Sequence, residues 1–152
     1  MIRLENIGVK FGSFEALKNI NIHVKEGEFF TFLGPSGCGK TTTLRTITGF
    51  IQPSSGTVSV RGTDITNMPV EKRNIGMVFQ SYALFPTMSV FENIAFGLKV
   101  QKMNKEDIRK KVLSMAEKVD LKEEQLKKKV SELSGGQQQR VAIARALVKI
   151  GR

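Results

Sequence analysis

The sequence predicts an α/β fold with a β-rich front part and a helical rear part. Apolar and polar residues alternate from Ile2 to Val9 and again from Leu17 to Val24, which is typical of strands. From Ser89 onward the apolar residues recur instead at helical spacing. Between these parts a glycine-rich run, Gly34–Thr41, joins an apolar segment to a short helix. These observations predict an antiparallel β-region, an α/β core and a helical block.

Turn residues set the limits of the front elements. Gly12-Ser13 predicts the turn between the first two strands, and Glu26-Gly27-Glu28 predicts a tight turn into the next. The run Glu28–Leu33 is apolar and rich in β-forming residues, so it is predicted as a buried strand. A short helix over Thr42–Thr48 is expected to stop at Gly49.

The glycine-rich run fits the pattern G-x-x-x-x-G-K-[ST] of a phosphate-binding loop. Glycines let the backbone curl so that successive N–H groups point to one spot, and the following helix adds its positive end. A lysine places a compact charge on the β- and γ-phosphates, and a threonine hydroxyl suits Mg²⁺. We therefore expect ATP and Mg²⁺ to bind here, at the following residues: Gly34, Pro35, Ser36, Gly37, Cys38, Gly39, Lys40 and Thr41.

A loop over Pro53–Gly56 and a strand over Thr57–Val60 follow the short helix. Asn74–Phe79 is predicted as a second buried strand, ending at Gln80. A polar amide at the carboxyl end of a core strand lies where open α/β sheets bind ligands. Gln80 is therefore a candidate site residue.

Two helices, one of them with a capping residue, and a glycine motif are predicted in the rear part. Val90, Ile94 and Leu98 share one helical face, and Asn104 is expected to cap a helix from Lys105 to about Val119. The motif Leu133-Ser134-Gly135-Gly136-Gln137 precedes a last helix. That helix carries one apolar stripe, formed by Ile143, Leu147 and Ile150.

Composition sets the broad class. The chain has 152 residues, enough for one domain with a core, and its net charge of +10 favours an anionic partner. Between Lys99 and Lys129 stand eleven basic and six acidic residues, typical of solvated helix faces. The single cysteine, Cys38, excludes an internal disulfide. No run is apolar and long enough to predict a membrane span.

Three motifs in this order, Gly34–Thr41, Gln80 and Leu133–Gln137, resemble the ATP-binding subunit of ABC transporters, which has a P-loop NTPase core. The resemblance covers the whole chain. The run Gly76–Pro86 is similar to the subgroup that serves solute importers, such as those for sugars, polyamines, ferric iron or phosphonates. The resemblance implies a subunit that couples ATP binding and hydrolysis to solute import.

The resemblance also implies individual roles. Phe11, which from the residues alone could equally be a core side chain, matches the aromatic that stacks on adenine. Lys40 and Thr42 match phosphate contacts, Thr41 matches a Mg²⁺ ligand, and Gln80 matches the residue that reaches Mg²⁺ and the attacking water. The signature residues act in trans on the ATP of a second subunit paired head to tail; they are Ser134, Gly135, Gly136 and Gln137.

Partners and location follow from the same resemblance. The segment Tyr82–Phe91 is expected to face transmembrane permease subunits, and the subunit is expected to lie on the cytoplasmic face of the membrane. The family's strand with Asp and Glu, and its later histidine, do not occur in the sequence. We therefore expect an amino-terminal fragment, incomplete at its carboxyl end, that binds ATP but hydrolyses it poorly or not at all.

The expected organisation is one truncated domain with three parts. Residues 1–88 are predicted to form the β-subdomain and phosphate-loop core, residues 89–135 the helical subdomain, and residues 136–152 the signature helix. An alternative function stays open: a non-transport ABC protein that uses ATP as a switch on ribosomes or nucleic acid. Salt-dependent RNA binding would favour that alternative, although the importer-like run at Gln80 favours transport.

Overall fold

The computed structural model describes residues 1–148, and its front part is a four-stranded antiparallel sheet. The strands are β1 (Ile2–Phe11), β2 (Phe14–Val24), β3 (Ser55–Val60) and β4 (Thr63–Asp64). They lie in the order β2-β1-β3-β4. The predicted antiparallel β-region is confirmed.

A break in the alternation of β1 keeps its apolar side chains inside. Leu4 and Ile7 are both buried although they are three residues apart, so a regular pleat would place them on opposite faces. Asn6 between them has a left-handed φ of 53°, and the pairing with β2 shifts between Leu4 and Ile7. This bulge turns Ile7 back towards the core.

The helix after the glycine-rich loop, α1 (Lys40–Thr48), ends at Gly49 as predicted. Gly49 has φ 89°, a left-handed conformation in which glycine carries no steric penalty. The guanidinium of Arg73 fills the space beside it and donates hydrogen bonds to four backbone carbonyls. The acceptors are the carbonyl oxygens of Thr46, Ile47, Thr66 and Met68, at 2.8–2.9 Å. Arg73 therefore ties the end of α1 to the loop after β4, and burial lowers its pKa.

Two predicted buried strands are wrong. Glu28–Leu33 and Asn74–Phe79 belong to no strand of the sheet, and Phe29 and Leu33 are 95% and 90% exposed. A strand forms only where a neighbour pairs with its backbone N–H and C=O groups. Within residues 1–148 no strand pairs with either segment. The apolar pattern indicated a strand-forming composition, but it does not show whether a neighbouring strand is present to pair with.

The rear part contains the other helices. These are α2 (Val90–Val100), α3 (Lys105–Lys118), the single turn α4 (Glu123–Leu126) and α5 (Gly135–Leu147). Short 3-10 turns cover Val70–Lys72 and Val130–Glu132. The predicted cap at Asn104 is confirmed, because its side chain accepts a hydrogen bond from the N–H of Asp107.

Apolar side chains from all four of these helices form one cluster. Val90, Ile94 and Leu98 of α2 are fully buried in it, as their shared face predicts. From α5 the cluster takes Val141 and Ala144. The stripe predicted on this helix lies to the side of the buried face: Ile143 is half-buried, Leu147 is 45% exposed, and Ile150 lies outside the described residues.

Contacts divide the chain into two compact units. The first is Met1–Asn74 and the second begins at Ile75. The predicted limits at residues 88 and 135 therefore do not coincide with this division, and the three-part organisation stays a prediction. Among the described residues, no helix combines the length and apolar character that crossing a bilayer requires.

Candidate nucleotide-binding site

Three glycines shape the loop before α1. Gly34, Gly37 and Gly39 have φ values of 154°, 84° and 92°, which side chains rarely allow. Two of them also have no room for a side chain. A Cβ atom on Gly34 would lie 2.7 Å from Cys38 Sγ, and one on Gly39 would lie 2.6 Å from Leu17 Cδ2. The loop therefore rests directly on β2 and folds tightly on itself.

Lys40 lies folded over this loop. Its ammonium donates hydrogen bonds to the carbonyl oxygens of Gly34 and Pro35 at 2.6 and 2.7 Å and lies 3.3 Å from Cys38 Sγ. Neither carbonyl carries a net charge. A phosphate oxygen would be a stronger acceptor for the same ammonium than either carbonyl, so the side chain is held where an anion can engage it.

The start of α1 has no side-chain cap. Its N-cap is Gly39, no side chain accepts a hydrogen bond from the first N–H groups, and the first turn contains no acidic residue. The exposed hydroxyl of Thr41 bonds to no residue in the described part of the chain, and Thr42 is half-buried beside it. Uncapped amides with a nearby hydroxyl suit a phosphate and its Mg²⁺. The residues present therefore fit a phosphate group with its Mg²⁺.

Phe11 is exposed rather than part of the core. It lies at the end of β1 opposite Phe14 across the hairpin turn, and the two rings are 51% and 66% exposed. A ring buried in the core could not stack on a base, whereas an exposed ring can. This exposure is what a base-stacking role requires, so stacking of Phe11 on adenine stays a prediction with that support.

The start of α5 is capped by its own signature residues. Ser134 Oγ accepts a hydrogen bond from the N–H of Gln137 at 3.3 Å, and Gln137 Oε1 accepts one from the N–H of Ser134 at 2.9 Å. Ser134, Gly135 and Gly136 are exposed. A Cβ atom built on either glycine meets nothing within 4 Å. The glycines thus leave open surface in front of the helix start.

Gln80 is exposed and lies in a turn near the start of the second unit, which begins at Ile75. The N–H of Tyr82 donates to the carbonyl of Phe79 at 2.9 Å, which closes the turn around Gln80 and Ser81. The amide of Gln80 is therefore presented to solvent. Its predicted contact with Mg²⁺ and water stays a prediction.

Two residues that the motifs did not indicate hold the chain after Gln80. Arg145 on α5 donates to the carbonyls of Tyr82 and Ala83, and the fully buried Asn93 on α2 bonds to both backbone groups of Phe85. Burial lowers the pKa of Arg145. The sequence does indicate that Arg145 lies beside the core, since it follows Val141 by four residues and so borders the apolar face of its helix.

Comparison with known proteins identifies the class. Residues 17–151 match the family described as ABC transporter. A dimeric bacterial ABC transporter cassette of known structure superposes with a TM-score of 0.87 and 38% identity, over 98% of this chain and 70% of that one. The chain therefore belongs to the ABC transporter family and has its P-loop NTPase fold, as the motifs predicted.

Particular relatives are import proteins. The chain is 54% identical over 148 residues to the spermidine/putrescine import ATP-binding protein PotA of Acetivibrio thermocellus. It is 52% identical to the protein of that name from Haemophilus influenzae. These matches cover 97% of the chain but only 42% and 40% of the relatives. The chain thus spans about two fifths of their length, which fits the expected fragment.

Proposed function

We propose that the chain is the nucleotide-binding part of a subunit that couples ATP binding and hydrolysis to import of a solute across a membrane. The uncapped start of α1 above three left-handed glycines is the observation that carries this proposal. Such a start offers N–H donors and a positive helix end to an anion. Membership of the ABC transporter family supports ATP as that anion.

Each candidate residue has a proposed task. Lys40 exchanges its two carbonyl partners for the β- and γ-phosphates, and Thr41 contributes its free hydroxyl to Mg²⁺. Gln80 is proposed to reach Mg²⁺ and the attacking water when nucleotide is bound. Bound Mg²⁺ supplies charge that offsets the negative phosphates. Phe11 packs on the base.

The signature residues are proposed to act on a second subunit. Ser134 can give its hydroxyl to the γ-phosphate there only by releasing the N–H of Gln137, its present partner. The uncovered amides of Gly135 and Gly136 need no such exchange. This supports a head-to-tail dimer in which each ATP lies between two chains.

The solute is proposed to be a polyamine, because the curated relatives quoted above are named for spermidine and putrescine import. Tyr82–Phe91 is the proposed contact with the permease, and the subunit is proposed to lie on the cytoplasmic side of the membrane. Its half-buried aromatic side chains, Phe85 and Phe91, offer apolar surface to a partner helix.

Calorimetry with nucleotides of different phosphate number tests the binding site. If the loop grips the β- and γ-phosphates, the chain binds MgATP more tightly than MgADP and AMP least. Equal affinity for AMP and MgATP would contradict the proposed loop. Removing Mg²⁺ with a chelator should weaken ATP binding but leave AMP unchanged.

Uptake measurements test the solute. Deleting the gene in its own organism should reduce uptake of labelled spermidine and putrescine and leave sugar uptake unchanged. Polyamine uptake at the parental level would refute this assignment while leaving the nucleotide site untouched.

A further inference from the structure

The loop that follows Gln80 is held in an unfavourable backbone conformation. Tyr82 and Ala83 both have left-handed φ values, 61° and 46°, although neither is glycine. Side-chain-bearing residues adopt this conformation rarely, and two in succession need support from their surroundings. The support comes from two helices.

Helix α5 supplies the first support through Arg145. Its Nη1 donates to the carbonyl of Ala83 at 2.7 Å and its Nη2 donates to that of Tyr82 at 2.8 Å. The guanidinium carbon also lies 5.5 Å from the centre of the Phe85 ring, a cation–π distance. A planar fork with two parallel donors fixes direction as well as distance.

Helix α2 supplies the second support through Asn93. Its side chain accepts from the N–H of Phe85 at 2.8 Å and donates to the carbonyl of Phe85 at 3.1 Å. The Phe85 ring packs on Phe96 of the same helix, with centroids 4.6 Å apart. Asn93 therefore fixes the end of the loop, whereas Arg145 fixes the residues next to the Gln80 turn.

We propose that Arg145 is a positioning residue that fixes the turn carrying Gln80 to α5, the helix that begins at Ser134. The carbonyl it holds at Tyr82 belongs to the residue whose N–H closes that turn. The loop that follows Gln80 and helix α5 are then expected to move together. The importance of this link for ATP rests on the proposed role of Gln80.

The chain contains its own probe for this link. Tyr82 is its single tyrosine and it has no tryptophan, so tyrosine emission reports on this loop alone. The test compares Arg145→Met with the matched control Arg140→Met. Arg140 lies on the same helix but binds Asp120, at the carbonyl oxygen and Oδ2, instead of the loop.

We expect Arg145→Met to make Tyr82 more accessible to acrylamide quenching. Exchange of the Tyr82 amide, whose N–H closes the turn at Gln80, should become at least about tenfold faster, because the two hydrogen bonds that hold the carbonyls of Tyr82 and Ala83 are lost. Arg140→Met should leave both quantities at the wild-type values. Unchanged quenching and exchange in Arg145→Met, or equal changes in both variants, would overturn the proposal.

A second variant decides the matter if circular dichroism shows that Arg145→Met does not fold. Arg145→Lys keeps the charge but loses the fork, so exchange of the Tyr82 amide should lie above the wild-type rate; a wild-type rate would overturn the proposal. Calorimetry with MgATP distinguishes failure of the proposed function from failure of the proposed role of Arg145. Wild-type chain that fails to bind MgATP sinks the proposed function, whereas the quenching result stands independently of nucleotide.

Discussion

The two helices that begin at predicted phosphate sites start in opposite ways. Helix α1 begins at Gly39 with no side-chain cap on its first N–H groups, whereas α5 begins at Ser134 with a reciprocal cap from Gln137. Both starts lack acidic residues. The first is open to an anion as it stands, but the second must give up a hydrogen bond before its hydroxyl can bind one.

The two helix starts therefore differ in how readily each can bind an anion. An uncapped helix start has unsatisfied donors, so an anion there is bound against little competition. A capped start is stable by itself, and its hydroxyl engages a ligand only when the ligand is a better acceptor than the present arrangement. We infer that α1 provides the standing affinity for nucleotide and α5 responds to a phosphate already held by another chain.

The largest expected effect is at the uncapped start. Lys40→Ala should weaken MgATP binding by about 10²-fold or more, because two hydrogen bonds from a charged donor are lost. Calorimetry of the chain measures this. Lys72→Ala, which removes an exposed lysine from the same unit, is the control and should bind as wild type. Equal affinities for MgATP in Lys40→Ala and Lys72→Ala would contradict the inference that the start of α1 provides the affinity for nucleotide.

A pair of glycine substitutions distinguishes strain from overlap in the loop. Gly37→Ala and Gly39→Ala both place a side chain at a left-handed φ, which costs about 1–2 kcal/mol. Only the second also meets Leu17 Cδ2, at 2.6 Å, so it should lose about 1–3 kcal/mol more. Urea unfolding measures both. Equal losses would show that the loop does not rest on β2.

At the capped start, two substitutions of Ser134 separate its structural task from ligand binding. Ser134→Ala should reduce the free energy of unfolding by about 1 kcal/mol, whereas Ser134→Gly should reduce it by only a few tenths. Both variants lack the hydroxyl. If Ser134 also serves a phosphate, nucleotide-dependent dimerisation by light scattering should weaken in both variants alike. Dimerisation weakened only in the alanine variant would assign Ser134 to capping alone.

The smallest expected effect concerns the similarly capped helix α2. Glu92 accepts hydrogen bonds from the N–H and hydroxyl of Ser89, which with Lys99 lower its pKa. A carboxyl group whose pKa is lower in the folded state contributes stability at pH values above its unfolded-state pKa. That contribution is lost as the pH falls through the folded-state pKa. Urea unfolding should therefore show wild type losing more stability than Glu92→Gln between about pH 5 and pH 3. Parallel profiles would exclude this contribution.

Helices and their caps could be predicted because their signals are local. Asn104 and Ser134 each stand at the start of a predicted helix, and each caps its helix in the structure. Ser89, from which the helical spacing begins, caps a third. The phosphate loop was also local, since its glycines, Lys40 and the helix are contiguous. Position in the chain was enough to find these features.

Features that depend on distant partners could not be predicted in the same way. Glu28–Leu33 has strand-like composition, but composition does not show whether another strand lies beside it. Arg145 reaches carbonyls more than sixty residues away in sequence. Backbone carbonyls occur at every residue and carry no sequence signal, so an arginine that binds them cannot be paired from sequence alone.

The Arg73 clamp makes two distant positions interdependent. The guanidinium Nε occupies a point 2.5 Å from where a Cβ of residue 49 would lie, so Gly49 is required by Arg73 as well as by its own φ of 89°. Any side chain at 49 would displace the group that satisfies the last carbonyls of α1. We therefore expect these positions to covary, with glycine at 49 wherever arginine stands at 73. A designer who transplants this loop and helix must carry both residues together.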